Sequence, residues 1–323
     1  MRSIQTQHLF PLSAVKPLDG LRNYRAFCLA ATRKAMDGRT HRLKRSCGSG
    51  ARLEPCGAVE GLAYVRDPEH GGLFLADRPE PASWGRLLSE VSRHRHSPAA
   101  FHAGLTRSRV DHVYVPKLEW IEDALRLQEI PQTSIMEVVT APSDFTAFLT
   151  ESSSFSEVLT VDETELARAP DHGRGGPLVR AAVLLESLDR AHDPTALLRG
   201  VVTRVEEGGL VFVTALVSSG FDITVLGLRN LYLAPPDRAN CFSLQGLTAL
   251  LRQAGLSPLE VSTPGVLDVE IVRTHVQHDP SLPLSAFERQ LVEADGETHE
   301  AFQTFLQQRG LSSFARIVTR KQR

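Results

Sequence analysis

The stretch Ser134–Leu149, "SIMEVVTAPSDFTAFL", decides how the rest of this chain is read. Its first half, "SIMEVV", is apolar and partly β-branched, the composition of a buried strand. "SDFTAFL" then carries apolar residues at helical spacing. A strand, a tight turn and a helix in that order is where α/β proteins often hold a nucleotide, on a turn usually rich in glycine. Here the turn is Val139, Thr140, Ala141, Pro142 and Ser143, with no glycine. Either a nucleotide site has lost its glycines, or the turn never was one.

Downstream of Pro131 the pattern alternates between strands and helices. Strands are expected at 135–139, 157–161, 179–185, 210–216, 268–272 and 314–319, and helices at 143–152, 193–205, 243–254 and 286–308. The second helix opens with Asp193 as cap and Pro194 at its first position, and ends near Gly208–Gly209. The third opens with Ser243 and ends at Gly255. Such alternation implies an α/β fold with a doubly wound, mostly parallel sheet. Ligands in such sheets lie beyond the carboxyl ends of the strands, where the winding reverses. That rule gathers Val139–Asp144, Asp162 and the residues after Leu185 around one crevice.

Upstream, 18–36 places Leu18, Leu21, Tyr24, Phe27 and Ala31 on one helical face, and a basic connector follows. Residues 51–79 are short and rich in Gly and Pro, with "LAYV" and "GLFLADRP" as strand candidates. Residues 83–93 and 118–130 read as helical again. Three parts are therefore expected: a basic helical segment at 1–45, a small module with a helical linker at 46–130, and an α/β domain at 131–323.

At 323 residues with 42% hydrophobic and 23% charged side chains, the chain can bury a sizeable core. No apolar run is long enough for a transmembrane helix, so no membrane partner is expected. The first residues lack a secretory apolar region, and Cys28, Cys47, Cys56 and Cys241 are scattered, which points to a reducing cytoplasm. Residues 1–50 hold ten Lys or Arg against two Asp. No aromatic interleaving or base-reading motif accompanies them, so a solvated helix face is expected there, not a nucleic-acid surface.

Several later segments share an order with one known family. "VLLESLDRAHDPTALLRGVVTRVEEGGLVFVTAL" (183–216), "GFDITVLGLRNLYLAPPDRANCFSLQGLTALLRQAGL" (220–256), "STPGVLDVEIV" (262–272) and "FQTFLQQRGLSSFARIVTRK" (302–321) resemble the later strands, helices and loops of class I S-adenosylmethionine-dependent methyltransferases. The likeness is to the bacterial group with a zinc-ribbon module ahead of the catalytic domain. It implies a Rossmann-like seven-stranded sheet whose last strand is antiparallel. It also implies that Glu137, Val139, Thr140, Ala141, Ser143, Asp144 and Asp162 occupy the cofactor positions.

The departures fall on chemistry. Glycines are used where backbone approaches a cofactor closely or takes φ > 0; Val139, Ala141 and Ser143 stand there instead. Asp189-Arg190 replaces the family's Glu-His pair, and His192 is the nearest base that could assist a transfer. Of two Cys-x-x-Cys pairs only Cys47 remains; Lys44 takes its partner's place, and Asp67 and His70 take the second pair's. No metal is expected, whether or not Cys56 substitutes. Together the losses favour a scaffold that no longer performs the reaction and needs no cofactor, with S-adenosylmethionine the cofactor if it does.

Other constellations are bland. His94, His96 and His102 lie around a helix end near Pro98, where cations suit the dipole. Ser218, Ser219 and Gly220 make no nucleophile elbow, and "GRGG" at 173–176 lacks the Lys-Ser/Thr of a phosphate loop. The loop after the 210–216 strand is richer: Asp222, Arg229, Asn230, Tyr232 and Arg238 stand among apolar residues as pocket candidates, with Arg229 and Arg238 suited to a carboxylate. The expected function is binding of a small molecule, a peptide or a partner enzyme in a natural-product or polysaccharide biosynthetic pathway. The alternative is methylation of a sugar or small natural product. A homodimer is compatible with either.

Overall fold

A computed structural model gives the structure; residues 18–95, 106–140, 143–168 and 176–322 are described. Ala141, His96, His102, the first residues of the basic segment and most of the "GRGG" turn lie outside them. Helix α1, Leu18–Met36, spans the expected range and buries Leu21, Tyr24, Cys28 and Leu29. Five short strands follow: β1 (Thr40–Arg42), β2 (Glu54–Val59), β3 (Leu62–Arg66), β4 (Leu73–Leu75) and β5 (Asp77–Pro79). β2, β3 and β4 form an antiparallel meander, and β1 pairs with β5. Helix α2 (Pro81–Arg95) packs on α1 and buries Trp84, Leu87, Leu88 and Val91.

Next, α3 (Thr106–Arg109) runs through a π-helical turn, Val110–Tyr114, into α4 (Val115–Leu127). Pro116 has no N–H to donate and its ring crowds the preceding turn, so the helix loosens just before it. β6 (Ser134–Val139), α5 (Asp144–Ser152), β7 (Glu157–Asp162), α6 (Glu163–Arg168), β8 (Val179–Leu185), α7 (Ser187–Arg190), α8 (Pro194–Arg204) and β9 (Val205–Leu216) form the central alternation. Ser143 caps α5 through the amides of Phe145 and Thr146, and Asp193 caps α8 through those of Thr195 and Ala196. After β9 come α9 (Phe221–Leu226), a 3-10 turn, the two-residue β10 (Asn240–Cys241) and α10 (Leu244–Gln253). The chain closes with β11 (Leu256–Ser262), α11 (Asp268–His278), α12 (Ala286–Val292), α13 (Gly296–Arg309) and β12 (Phe314–Lys321).

The large sheet has six strands among the described residues, in the order β11-β12-β9-β8-β6-β7. It is mixed: β9, β8, β6 and β7 pair in parallel, while β12 is antiparallel to both its neighbours. Ala181–Leu184 of β8 and Leu210–Val213 of β9 are fully buried, because both sheet faces are covered. On one face Trp120, Ile121, Phe145 and Leu149 of α4 and α5 pack on Ile135, Val183 and Phe212. On the other, Leu197, Leu198 and Val201 of α8 and Leu250 and Leu251 of α10 pack on Met136, Val211 and Val213. Each such side chain contributes ~1.5–3 kcal/mol by leaving water.

Three expectations are corrected. The sheet has six strands among the described residues, in place of seven. Residues 268–272 form the start of α11: Val269 and Val272 are buried at i, i+3, and the alternation in "DVEIV" was a misleading sample of that helix. The strand lies earlier, at Leu256–Ser262, and takes in Pro258. β11 is an edge strand with a register shift between Pro258 and Glu260, which tolerates the missing N–H. Third, the helix expected over 286–308 is two, because Asp295 caps a second start through the Thr298 amide. Among the described residues no helix is long and apolar enough to cross a membrane.

The turn out of β9 has no room for a side chain at Gly220, where a Cβ would fall 2.2 Å from Ser313 Cα. Gly220→Ala should therefore lower unfolding free energy by about 1–3 kcal/mol in chemical denaturation, the usual penalty of overpacking.

Candidate functional site

The winding reverses between β6 and β8, and a crevice of about 220 Å³ opens at their carboxyl ends. Val139, Thr140, Ser143 and Asp144 line one side; Leu185 and Glu186 line the other. The sequence grouped these residues, and the topology brings them together. Asp162 lies one cleft further on, beside α2, with Thr140 on the rim shared by both.

Among the described residues of the turn none has positive φ; the backbone is that of a plain capped helix start. Glu137, 2% exposed, is fastened to it: Ser143 Oγ donates to Oε1 at 3.0 Å and Thr146 Oγ1 donates to Oε2. Burial pushes its carboxyl up, against the pull of Thr146, Ser143, Lys117 and Arg190. Asp162 Oδ1 caps α6, accepting from the Thr164 and Glu165 amides at 2.7 and 3.2 Å and from Thr164 Oγ1. Tyr114 donates to Asp144 Oδ2 at 3.5 Å.

The crevice is crossed by charged side chains bonded to each other. Asp237 Oδ2 accepts from Tyr24 Oη at 2.7 Å and from Arg95 Nη2, and Arg95 Nη2 also lies 2.7 Å from Tyr24 Oη. Arg95 and the neighbouring Arg238 overcome the burial that would raise Asp237 and hold its carboxyl low. Arg238 donates to Glu186 and lies 3.2 Å from Asp189 Oδ2, which also accepts the Leu216 amide at 2.9 Å. Glu186 has φ +59°, an uncommon conformation for a residue with a Cβ, and aims its carboxylate at Arg238. Arg190 Nε reaches Glu163 at 3.1 Å. Burial drives Asp189 up to about 8 and Glu163 up to about 7 despite these arginines.

The loop candidates disperse. Asp222 and Asn230 are fully buried and bonded to each other at 2.8 Å, bracing the loop without reaching the crevice. Arg229 is exposed over a separate hollow near His275 and His278. Only Tyr232 and Arg238 line the crevice, so Arg229 and Arg238 do not converge on one carboxylate. His192 is also elsewhere. Its Nε2 lies 3.0 Å from the Pro79 carbonyl, so the neutral ring carries its proton there, and it packs edge-on to His41 and Trp84. Burial, then Arg78, pulls its pKa down to about 4.

In the small module Asp67 accepts from Ser49 Oγ at 2.8 Å and from the Glu69 and His70 amides. Lys44 is exposed, and among the described residues no three His, Cys, Asp or Glu side chains are grouped to hold a metal. Sequence reasoning missed Tyr24, Arg95 and Asp237. Tyr24 read as part of one helical face, and nothing local ties it or Arg95 to Asp237.

No family model matches the chain, and no curated protein matches it. Several solved structures are similar to it at low identity. A chain from the complex between the Haloferax volcanii Trm112 methyltransferase activator and a methyltransferase is 14% identical, with a TM-score of 0.40 over 76% of this chain and 99% of that one. The plantazolicin methyltransferase BpumL in complex with SAH is 12% identical, with a TM-score of 0.40 over 74% and 95%. A sarcosine dimethylglycine methyltransferase from Galdieria sulphuraria is 12% identical, with a TM-score of 0.39 over 64% and 86%. Likeness of that degree says nothing of what the crevice does.

Two outcomes follow from the bonded charges. Asp237→Asn should cost about 1.5–3 kcal/mol in denaturant unfolding, and Tyr24→Phe about 0.5–1.5 kcal/mol. For His192 the unfolded chain takes up a proton near 6.5 and the folded chain only near 4. Its contribution is therefore complete above about pH 6.5 and lost as pH falls toward 4. Denaturant midpoints of His192→Asn across that window should fall less steeply than those of the unaltered protein.

Proposed function

We propose that this chain is a methyltransferase-fold protein that no longer transfers methyl groups and binds a ligand or partner in its strand-end crevice. One observation carries the reading: the groups that the sequence resemblance assigns to the cofactor are spent inside the protein. Glu137 is bonded through both oxygens to the helix after the turn, Asp162 caps the next helix, and Tyr24, Asp237 and Arg95 span the crevice. Val139 and Thr140 place side chains on the lip. The described residues therefore do not fit S-adenosylmethionine as that resemblance would seat it. A crevice of about 220 Å³ suits a small molecule or the side chain of a peptide better than the broad face of a partner enzyme. A biosynthetic setting agrees with the sequence resemblance.

One observation favours a second reading. Asp162 uses only Oδ1 in its cap and stands half-buried at the rim of a cleft of about 440 Å³, where the resemblance places the ribose-binding acid. On that reading the chain is an active S-adenosylmethionine-dependent methyltransferase acting on a sugar or small natural product.

Titration calorimetry with S-adenosylmethionine and S-adenosylhomocysteine separates the two. No heat at millimolar ligand is the expected result. Micromolar binding, weakened tenfold or more by Asp162→Asn, would overturn the proposal; that variant keeps a capping oxygen and so keeps α6.

A further inference from the structure

We propose that a second cavity, of about 180 Å³, between the π-helical turn, α11 and the start of β12, binds an apolar monocarboxylate through Lys117 and Arg316. It adjoins the crevice already described, and Lys117, Glu186 and Arg238 stand on the wall between them. The site requires no decision on methyl transfer, since an enzyme or a binding protein could carry it.

The case begins with two buried cations that have no ion pair among the described residues, only carboxylates acting at a distance: Glu186 and Glu137 on Lys117, and Glu260 on Arg316. Lys117 is 8% exposed and Arg316 is 6% exposed. Among the described residues neither forms an ion pair. Lys117 Nζ lies 6.0 Å from the centre of the Phe145 ring and makes no hydrogen bond among the described residues. Arg316 stacks over Trp120 at 5.4 Å, reaches only the Pro116 carbonyl at 3.5 Å, and leaves its buried Nε without an acceptor. A buried charge without its opposite is costly, and folds retain one where something else supplies the opposite. Both side chains face the same cavity.

The carboxylates on the cavity wall are already committed. Asp268 accepts from Ser312 Oγ, the Ser313 amide and Gln303 Nε2, and Glu186 accepts from Arg238. Among the described residues neither is hydrogen-bonded or ion-paired to Lys117 or Arg316, although Glu186 acts on Lys117 through space. Val113, Val266, Leu267, Ile271 and Phe314 give the wall an apolar side, and Arg109, His112, Tyr232 and Arg238 complete its polar side. A guanidinium with unused donors beside an ammonium suits one carboxylate, held by fork and point charge together. Glu186 on the same wall repels a dianion, which selects against a phosphate ester. The apolar side selects an aliphatic or aromatic body. Those two demands define the ligand class.

Burial pulls Lys117 down to about 8, with Glu186 and Glu137 raising it and Arg316 and Arg109 lowering it. A carboxylate bound to the ammonium is therefore held less tightly as pH rises through 8.

The experiment is calorimetry of the full chain with octanoate, 1-octanol and inorganic phosphate, in the unaltered protein and in Lys117→Met and Arg316→Met. Octanoate should bind at submillimolar concentration and at least tenfold more tightly than 1-octanol, with phosphate inert. Each variant should weaken octanoate tenfold or more while its unliganded melting temperature stays level or rises, because a stranded charge has been removed. Octanoate affinity should fall from pH 7 to 9 in the unaltered protein and not in Lys117→Met. Equal binding of octanoate and 1-octanol, binding of phosphate alone, or variants that melt earlier and bind octanoate normally would overturn the proposal. S-adenosylmethionine binding alongside the expected octanoate result would remove the reading of the preceding subsection and leave this one. Absence of both would do the reverse.

Discussion

A charge taken out of water has to meet its opposite, and at the carboxyl ends of this sheet that requirement holds the surrounding elements in place. Asp237 is the centre. It accepts from Tyr24 on α1 and Arg95 on α2, so one carboxylate joins two helices to the loop after β9. Its neighbour Arg238 turns the other way, to Glu186 and Asp189 at the sheet. Two consecutive residues thus tie the helical cover to the strand ends. Loosening the cover would take Tyr24 and Arg95 away from Asp237 and leave a buried carboxylate short of its donors. That mutual dependence fixes where α1 lies more firmly than its apolar face alone, since Leu21, Cys28 and Leu29 would accept several angles of approach.

Much of the fold was legible because its signals are local. Ser143, Asp193 and Ser243 stand at caps, and buried strands read as continuous apolar runs. The alternation of strands and helices put Val139, Thr140, Ser143, Asp144 and Glu186 at one crevice before any coordinates were needed. The failures are cases where local chemistry points the wrong way. Pro258 hid an edge strand, "DVEIV" showed five residues of a helix at a phase that alternates, and Asp295 broke a helix with a cap that resembles an ordinary polar position. The site was less legible. Asp222 and Asn230 looked like ligand groups in a polar loop and proved to be each other's partners. Asp237 meets Tyr24 and Arg95 across 213 and 142 residues, and no periodicity carries such information.

Paired and unpaired charges divide the functional question. Across the main crevice Tyr24, Arg95, Asp237, Arg238 and Glu186 bond to one another. Lys117 and Arg316, one wall away, are the opposite case. They lower stability in the free protein and gain it back only in company, the usual relation between function and stability. Replacing both with apolar residues would make a better-packed protein and, on this view, an emptier one.

The two residues of β10 reach further than their length suggests. Asn240 and Cys241 pair with Phe74 and Leu73, so the edge of the small N-terminal sheet is completed by a segment some 170 positions later in the chain. During synthesis that sheet emerges early, yet its edge cannot close until most of the α/β region has left the ribosome. Loop closure over such a separation is slow, and an open edge is sticky while it waits. The outer edge of that sheet is therefore the last part of it able to close.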